Sequence, residues 1–82
     1  MILNVVSAKY INEYSLLLEF SNGRKKIVDL GETISKEKRE VFFPLLEVDF
    51  FKNFSIPLNT VEWANGVDFS PEYLYEIGQD IT

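Results

Sequence analysis

The residues best suited to chemistry lie close together near the end of the chain: Glu62, Trp63, Asn65, Gly66, Asp68 and Glu72. Glu62 and Asp68 are two carboxylates that could approach each other, and such a pair can do general acid/base work or hold Ca²⁺ or Mg²⁺ through oxygen ligands. Trp63 offers an aromatic contact face, and Asp68 an acceptor beside the start of a helix. The same residues also have a structural use. Gly66 permits an unusual backbone conformation, Trp63 packs in a core, and Asp68 hydrogen-bonds turn amides. A binding surface in this domain is expected at Trp63, Asn65, Gly66, Asp68 and Glu72, where a strand end, a turn and a helix start converge.

Absences narrow the chemistry further. The chain has no cysteine and no histidine. This removes disulfides, thiolate metal sites, imidazole bases and the Ser-His and Cys-His nucleophilic pairs. With no third ligand beside Glu62 and Asp68, neither a catalytic residue nor a metal or other cofactor is expected. Arg24-Lys25-Lys26 is the one basic cluster on a strand and could touch a phosphate backbone. Its neighbours Glu19 and Asp29 make a cross-strand charge ladder, or an edge guarded by lysines, the simpler use. A net charge of −5 and a pI near 4.6 oppose direct nucleic-acid contact and suit a basic partner.

The elements that must position these residues follow from pattern. Eighty-two residues support one core, so a single domain is expected over 1–82. Ile2 to Tyr10 reads as a strand, Asn12-Glu13 as a turn, and Tyr14 to Phe20 and Arg24 to Leu30 as a hairpin around Asn22-Gly23. A two-residue loop would set Phe20 against Lys25 and Leu16 against Asp29. A three-residue loop with Gly23 in a bulge pairs Leu17 with Ile27, Leu16 with Val28, Tyr14 with Leu30 and Glu19 with Lys25, and is preferred because like faces like. Leu16-Leu17-Leu18 predicts a central strand covered on both faces.

Beyond the hairpin, Lys36 to Glu40 could form exposed helical turns within a solvated connection. Pro44 suits the first turn of a short helix, and Asp49 could N-cap another that places Phe50 and Phe54 on one face. Five phenylalanines between Phe42 and Phe54 are many for a small core, so some are expected at an interface. Thr60 to Trp63 has strand character, and Ala64-Asn65-Gly66 is a turn. The terminal helix is the best marked element: Ser70 as N-cap, Pro71 in the first position, Glu72 complementing the dipole, a stripe of Tyr73, Leu74 and Ile77, and Gly78 as the stop. The fold class is therefore α+β: a three-stranded N-terminal antiparallel meander, short central helices, a further strand, and a C-terminal helix packed on the sheet.

Several segments together resemble a known family: Leu18-Glu19-Phe20-Ser21-Asn22-Gly23, Val28-Asp29-Leu30, Phe43-Pro44-Leu45, Phe51, and above all the run from Glu62 to Tyr75. The spacing Trp-x-x-Gly-x-Asp-x-x-Pro-x-x-Leu over Trp63 to Leu74 is the most specific part. The chain resembles the bacterial domain of unknown function 2442. The resemblance implies the same α+β arrangement. It also implies antitoxin-like or regulatory roles, since similar proteins occur alone, beside another small protein, or joined to a helix-turn-helix domain. Ending at Thr82, this chain is expected to lack such a DNA-reading domain. The first residues do not read as a signal peptide and no apolar run is long enough to span a membrane, so a cytoplasmic location is expected. The expected function is a non-catalytic module that binds a protein partner or itself as a homo-oligomer. The alternatives are carboxylate-based metal or catalytic chemistry at Glu62 and Asp68, and a nucleic-acid-associated regulator.

Overall fold

A computed structural model describes residues 2–81; Met1 and Thr82, the ends of the domain expected over 1–82, lie outside the described residues. Alternation of apolar and polar side chains builds the meander: β1 (Val5–Asn12), β2 (Ser15–Phe20) and β3 (Lys25–Asp29) run antiparallel. A short β4 (Gln79–Asp80) pairs with β3 and completes a four-stranded sheet in the order β1-β2-β3-β4. Short helices pack on the sheet to give the expected α+β architecture.

The hairpin adopts the three-residue register. Leu17 stands opposite Ile27, Leu16 opposite Val28 and Glu19 opposite Lys25. The Leu30 amide donates to the Tyr14 carbonyl at 2.9 Å, and Gly23 closes the loop with φ of 87°. β1 differs from the expected Ile2–Tyr10. Phe20 ends β2 and pairs with Val5, which leaves Ile2 and Leu3 no strand to join. At its other end β1 continues to Asn12, and the turn moves to Glu13, whose φ is 43°. β2 is central, but only one of its faces is covered. Leu16, Leu18 and Phe20 are buried, whereas Leu17 is half-buried and Ile27 exposed on the opposite side.

The helices correct the reading of the middle of the chain. α1 spans Gly31–Lys36, earlier than the charged run, because Ile34 can reach the core one turn after Leu30 while Lys38, Arg39 and Glu40 bury nothing. A 3₁₀ helix covers Glu40–Leu46, and its buried residues Phe42 and Leu45 have the three-residue spacing of that geometry. That frame places Pro44 inside the helix rather than in its first turn. α2 is the single turn Val48–Phe51; it starts before Asp49, which pairs instead with Lys52 at 3.3 Å, and it buries Phe51 in preference to Phe50 or Phe54.

Thr60 to Trp63 joins no strand of the main sheet. Its Glu62 makes isolated antiparallel bridges to Ser55 and to Asp68, since the free edge of β3 is taken by β4. α3 (Pro71–Ile77) begins as expected, with the Ser70 hydroxyl accepting the Tyr73 amide at 3.1 Å and Leu74 fully buried. It also stops at Gly78 as expected. Gly78 is extended, with φ −74° and ψ 153°, so its role is space rather than a left-handed turn. A Cβ there would lie 3.0 Å from both Cβ and Cδ of Lys26 and 3.1 Å from the Leu74 carbonyl.

Lys26 explains that crowding. It is only 8% exposed on the covered face of the sheet, where its ammonium donates to the Tyr75 carbonyl at 2.7 Å and sits 3.7 Å above the Tyr75 ring. A cation over an aromatic face and beside the last carbonyls of a helix is favourable on both counts. Gly78→Ala is expected to destabilise the fold by about 1–3 kcal/mol through overpacking against Lys26. Urea unfolding followed by circular dichroism would show a lower midpoint with an unchanged slope.

Candidate functional site

The segment from Glu62 to Ser70 owes its shape to one buried aromatic. Trp63 is 2% exposed, its indole N–H donates to the Phe51 carbonyl at 2.7 Å, and its ring meets Phe51 and Phe69 with centroids 5.4 and 5.9 Å away. A tight turn then reverses the chain: the Trp63 amide donates to the Val67 carbonyl and the Gly66 amide to the Trp63 carbonyl, both at 2.9 Å. Gly66 has φ of 89°, a conformation that side chains resist. Asn65 fixes the turn from both ends. Its carbonyl oxygen accepts the Val67 amide at 3.3 Å, and its amide group donates to the Val41 carbonyl at 2.8 Å on the 3₁₀ helix.

This packing leaves a groove. Beside Asn65, Gly66 and Asp68 a depression is walled by Arg39, Val41 and Phe42. A second depression shares Arg39, Phe42 and Asp68 with it and lies over Phe69 against Thr33 and Tyr73, and a third lies between α1 and α3, on the other side of Thr33 and Tyr73, against Asp29 and Ile77. The third encloses about 540 Å³. The aromatic floor of the groove is graded from core to surface: Phe69 contacts Trp63, Phe42 lies 5.9 Å from Phe69, and Tyr73 stacks on Phe69 at 6.0 Å while remaining 37% exposed. The hydroxyls of Thr33 and Tyr73 hydrogen-bond at 2.8 Å, tying α1 to α3 across the groove.

Carboxylates and cations share the rim. Hydrogen bonding to the Lys36 ammonium, reinforced by its charge, holds the Glu32 carboxyl below the usual carboxylate range. The Arg39 guanidinium does the same to Glu37 through paired hydrogen bonds of 2.9 and 3.0 Å, and lies 4.8 Å from the centre of the Phe42 ring. Asp29 accepts the Gly31 amide at 2.9 Å. Among the described residues neither Asp29 nor Asp68 forms an ion pair.

The residues proposed from sequence therefore divide. Asn65, Gly66 and Asp68 are exposed on the groove wall. Trp63 is not a surface contact, because its ring is enclosed by Phe51, Phe54 and Phe69 and shapes the floor from beneath. Glu72 is exposed on the first turn of α3 but lines no part of the groove. Glu62 and Asp68 do face one another across a bridge, and among the described residues no group of three or more His, Cys, Asp or Glu could hold a metal ion. The basic cluster disperses: Arg24 pairs with Asp80 at 3.3 Å, Lys25 stands opposite Glu19 on the outer face, and Lys26 is buried. Thr33, Arg39 and Phe69 were not singled out as site residues. The spacing of Leu30 and Ile34 was the available signal for a helix that brings Thr33 to Tyr73.

A family model described as a protein of unknown function (DUF2442) matches residues 5–80, from the first residue of β1 to the last of β4. No curated protein and no solved structure matches the chain. No helix among the described residues is long and apolar enough to cross a membrane.

Trp63 is the only tryptophan, so its emission reports the state of the floor directly. The native protein should emit at short wavelength and shift to the red on unfolding. Trp63→Phe leaves the Phe51 carbonyl without its donor and a gap beneath Phe69, and should cost about 2–4 kcal/mol in urea unfolding.

Proposed function

The chain belongs to DUF2442, a family of proteins of unknown function, and on that premise we propose that it is a non-catalytic protein-interaction module, a regulatory, antitoxin-like accessory that grips a partner segment between α1 and α3. The observation that carries this reading is the row of adjoining depressions from Asn65 to Ile77, which share the walls Phe42, Asp68, Thr33 and Tyr73 and expose an aromatic ring at Tyr73. Aromatic side chains in a concave surface are the usual anchors of protein recognition, because they bury a large area with little loss of rotamer freedom. The neighbouring 3₁₀ helix extends the apolar surface. Phe43 is 51% exposed, with Val41 and Leu46 also outward.

Chemistry supports the same choice. Without histidine or cysteine the groove has no ready nucleophile-and-base pair, and its hydroxyls at Thr33 and Tyr73 bond to each other. The regulatory part of the proposal draws on the arrangement of similar proteins beside small partners or helix-turn-helix domains. A cytoplasmic setting suits a chain that folds by packing alone, without cysteine. The occupant of the groove is a segment of another protein or of a second copy of the chain.

Peptides selected by display on the immobilised protein should, when titrated into the isotope-labelled chain, shift the amides of Thr33, Phe69 and Tyr73 together. Tyr73→Ala should weaken the selected peptides by about tenfold or more. Selection that yields no peptide, or peptides whose shifts cluster elsewhere, would end this reading.

A further inference from the structure

Resting on the reading of the groove as a peptide-binding cleft, we propose that its occupant is a basic segment, one that lays an arginine across the aromatic floor and is held by the carboxylates of the rim. The lining carries Asp29, Glu32, Glu37 and Asp68 against only Lys36 and Arg39. Both of those cations are already engaged within their own turns, by Glu32 and Glu37. Asp68 lies where the depression beside Asn65 joins the channel over Phe69, and Asp29 lies at the far end beside Ile77. The two unpaired carboxylates thus bracket the apolar floor, in a chain whose net charge is −5. A segment with basic residues on either side of an apolar one complements that layout, whereas an acidic segment meets an excess of like charge.

Arg39 shows what the floor accepts. Its guanidinium lies 4.8 Å from the centre of the Phe42 ring while its two nitrogens fork onto the Glu37 carboxylate. A planar cation over an aromatic ring and against a carboxylate is the arrangement a partner's arginine would reproduce. The Arg39 side chain is 71% exposed against 28% for Glu37, and a pair with its cation in solvent holds its geometry weakly. Phe42 is only 7% exposed, so an incoming arginine reaches it by displacing Arg39, and Asp68 stands by unpaired to receive the displaced cation. An ammonium offers the same charge without the planar stacking, so arginine should outperform lysine.

The test is a titration of the labelled chain with a short peptide alternating arginine and leucine, beside the same peptide with glutamate in place of arginine. The arginine peptide should shift the amides of Thr33, Asp68, Phe69 and Tyr73. Its affinity should fall as salt rises from about 50 to about 200 mM, because the rim charges are solvent-exposed and screened. Asp29→Asn combined with Asp68→Asn should weaken it by about tenfold, whereas Asp49→Asn, the same kind of charge change on α2, should not. Both carboxylates of the double variant are on the surface, and a matching spectrum outside the groove verifies its fold. Equal shifts from the glutamate peptide, or undiminished binding by the double variant, overturn the basic partner while leaving a charge-indifferent peptide groove intact. Failure of the arginine peptide, together with failure of every displayed peptide to reach these amides, removes both readings.

Discussion

The hydrogen bond from the Trp63 indole to the Phe51 carbonyl is the constraint on which the rest of the structure depends. An indole N–H taken out of water must find an acceptor, and the last residue of α2 provides it. This one requirement sets the separation between α2 and the Glu62–Asp68 turn. Phe69 packs on Trp63 at a near-perpendicular angle, Tyr73 stacks on Phe69, and Ser70 caps the helix that carries Tyr73. On the sheet side Phe51 meets Tyr14 edge-on at 5.4 Å, and Tyr14 in turn donates from its hydroxyl to the Leu46 carbonyl. The groove is thus the outer end of an aromatic stack that begins inside the core.

Lys26 closes the fold from the other end. A lysine facing the core with no carboxylate partner would ordinarily be a liability, since a buried ammonium loses its hydration. Here it regains an acceptor at the Tyr75 carbonyl and an aromatic face on the same residue. The Tyr75 ring, in turn, packs edge-on against Phe20 at 5.0 Å. That clamp holds the C-terminal end of α3 to β3, while Thr33 and Tyr73 hold its other end to α1. α3 is therefore fixed at both ends, and the channel between α1 and α3 has defined walls.

The parts of this arrangement that rest on local chemistry were legible in the sequence. Asn22-Gly23 with matched apolar residues identified the hairpin and its register, and Ser70-Pro71 identified α3, because each depends on neighbours along the chain. The parts that rest on distant contacts were not. Thr60 to Trp63 has the composition of a sheet strand, but whether it enters the sheet depends on β4 having already covered β3. Gly78 reads as a helix stop, yet the side chain it must avoid belongs to Lys26, far earlier in the chain. Lys26 itself sits in a run of three cations, and the pleat turns the middle and last of them to opposite faces. At the site, Asn65, Gly66 and Asp68 were placed by their turn chemistry, whereas Trp63 was readable as a contact as well as core. Only the Phe51 carbonyl, brought near by α2, decides for the core.

The groove is open because the chain contains more aromatic surface than its core can enclose. Twelve residues are Phe, Tyr or Trp, and the buried ones already pack between one face of a four-stranded sheet and four short helices. Tyr73 and the outer edge of Phe69 are left at the boundary, where a polar hydroxyl and a stacked ring are tolerated in water. A surface of this kind divides the tasks of binding between its two components. Carboxylates at the rim act at long range and govern encounter, while the rings act only on contact and govern how long a bound segment stays. On the proposed reading, Asp29 and Asp68, which line different depressions of the row, would orient a basic segment before any ring is covered.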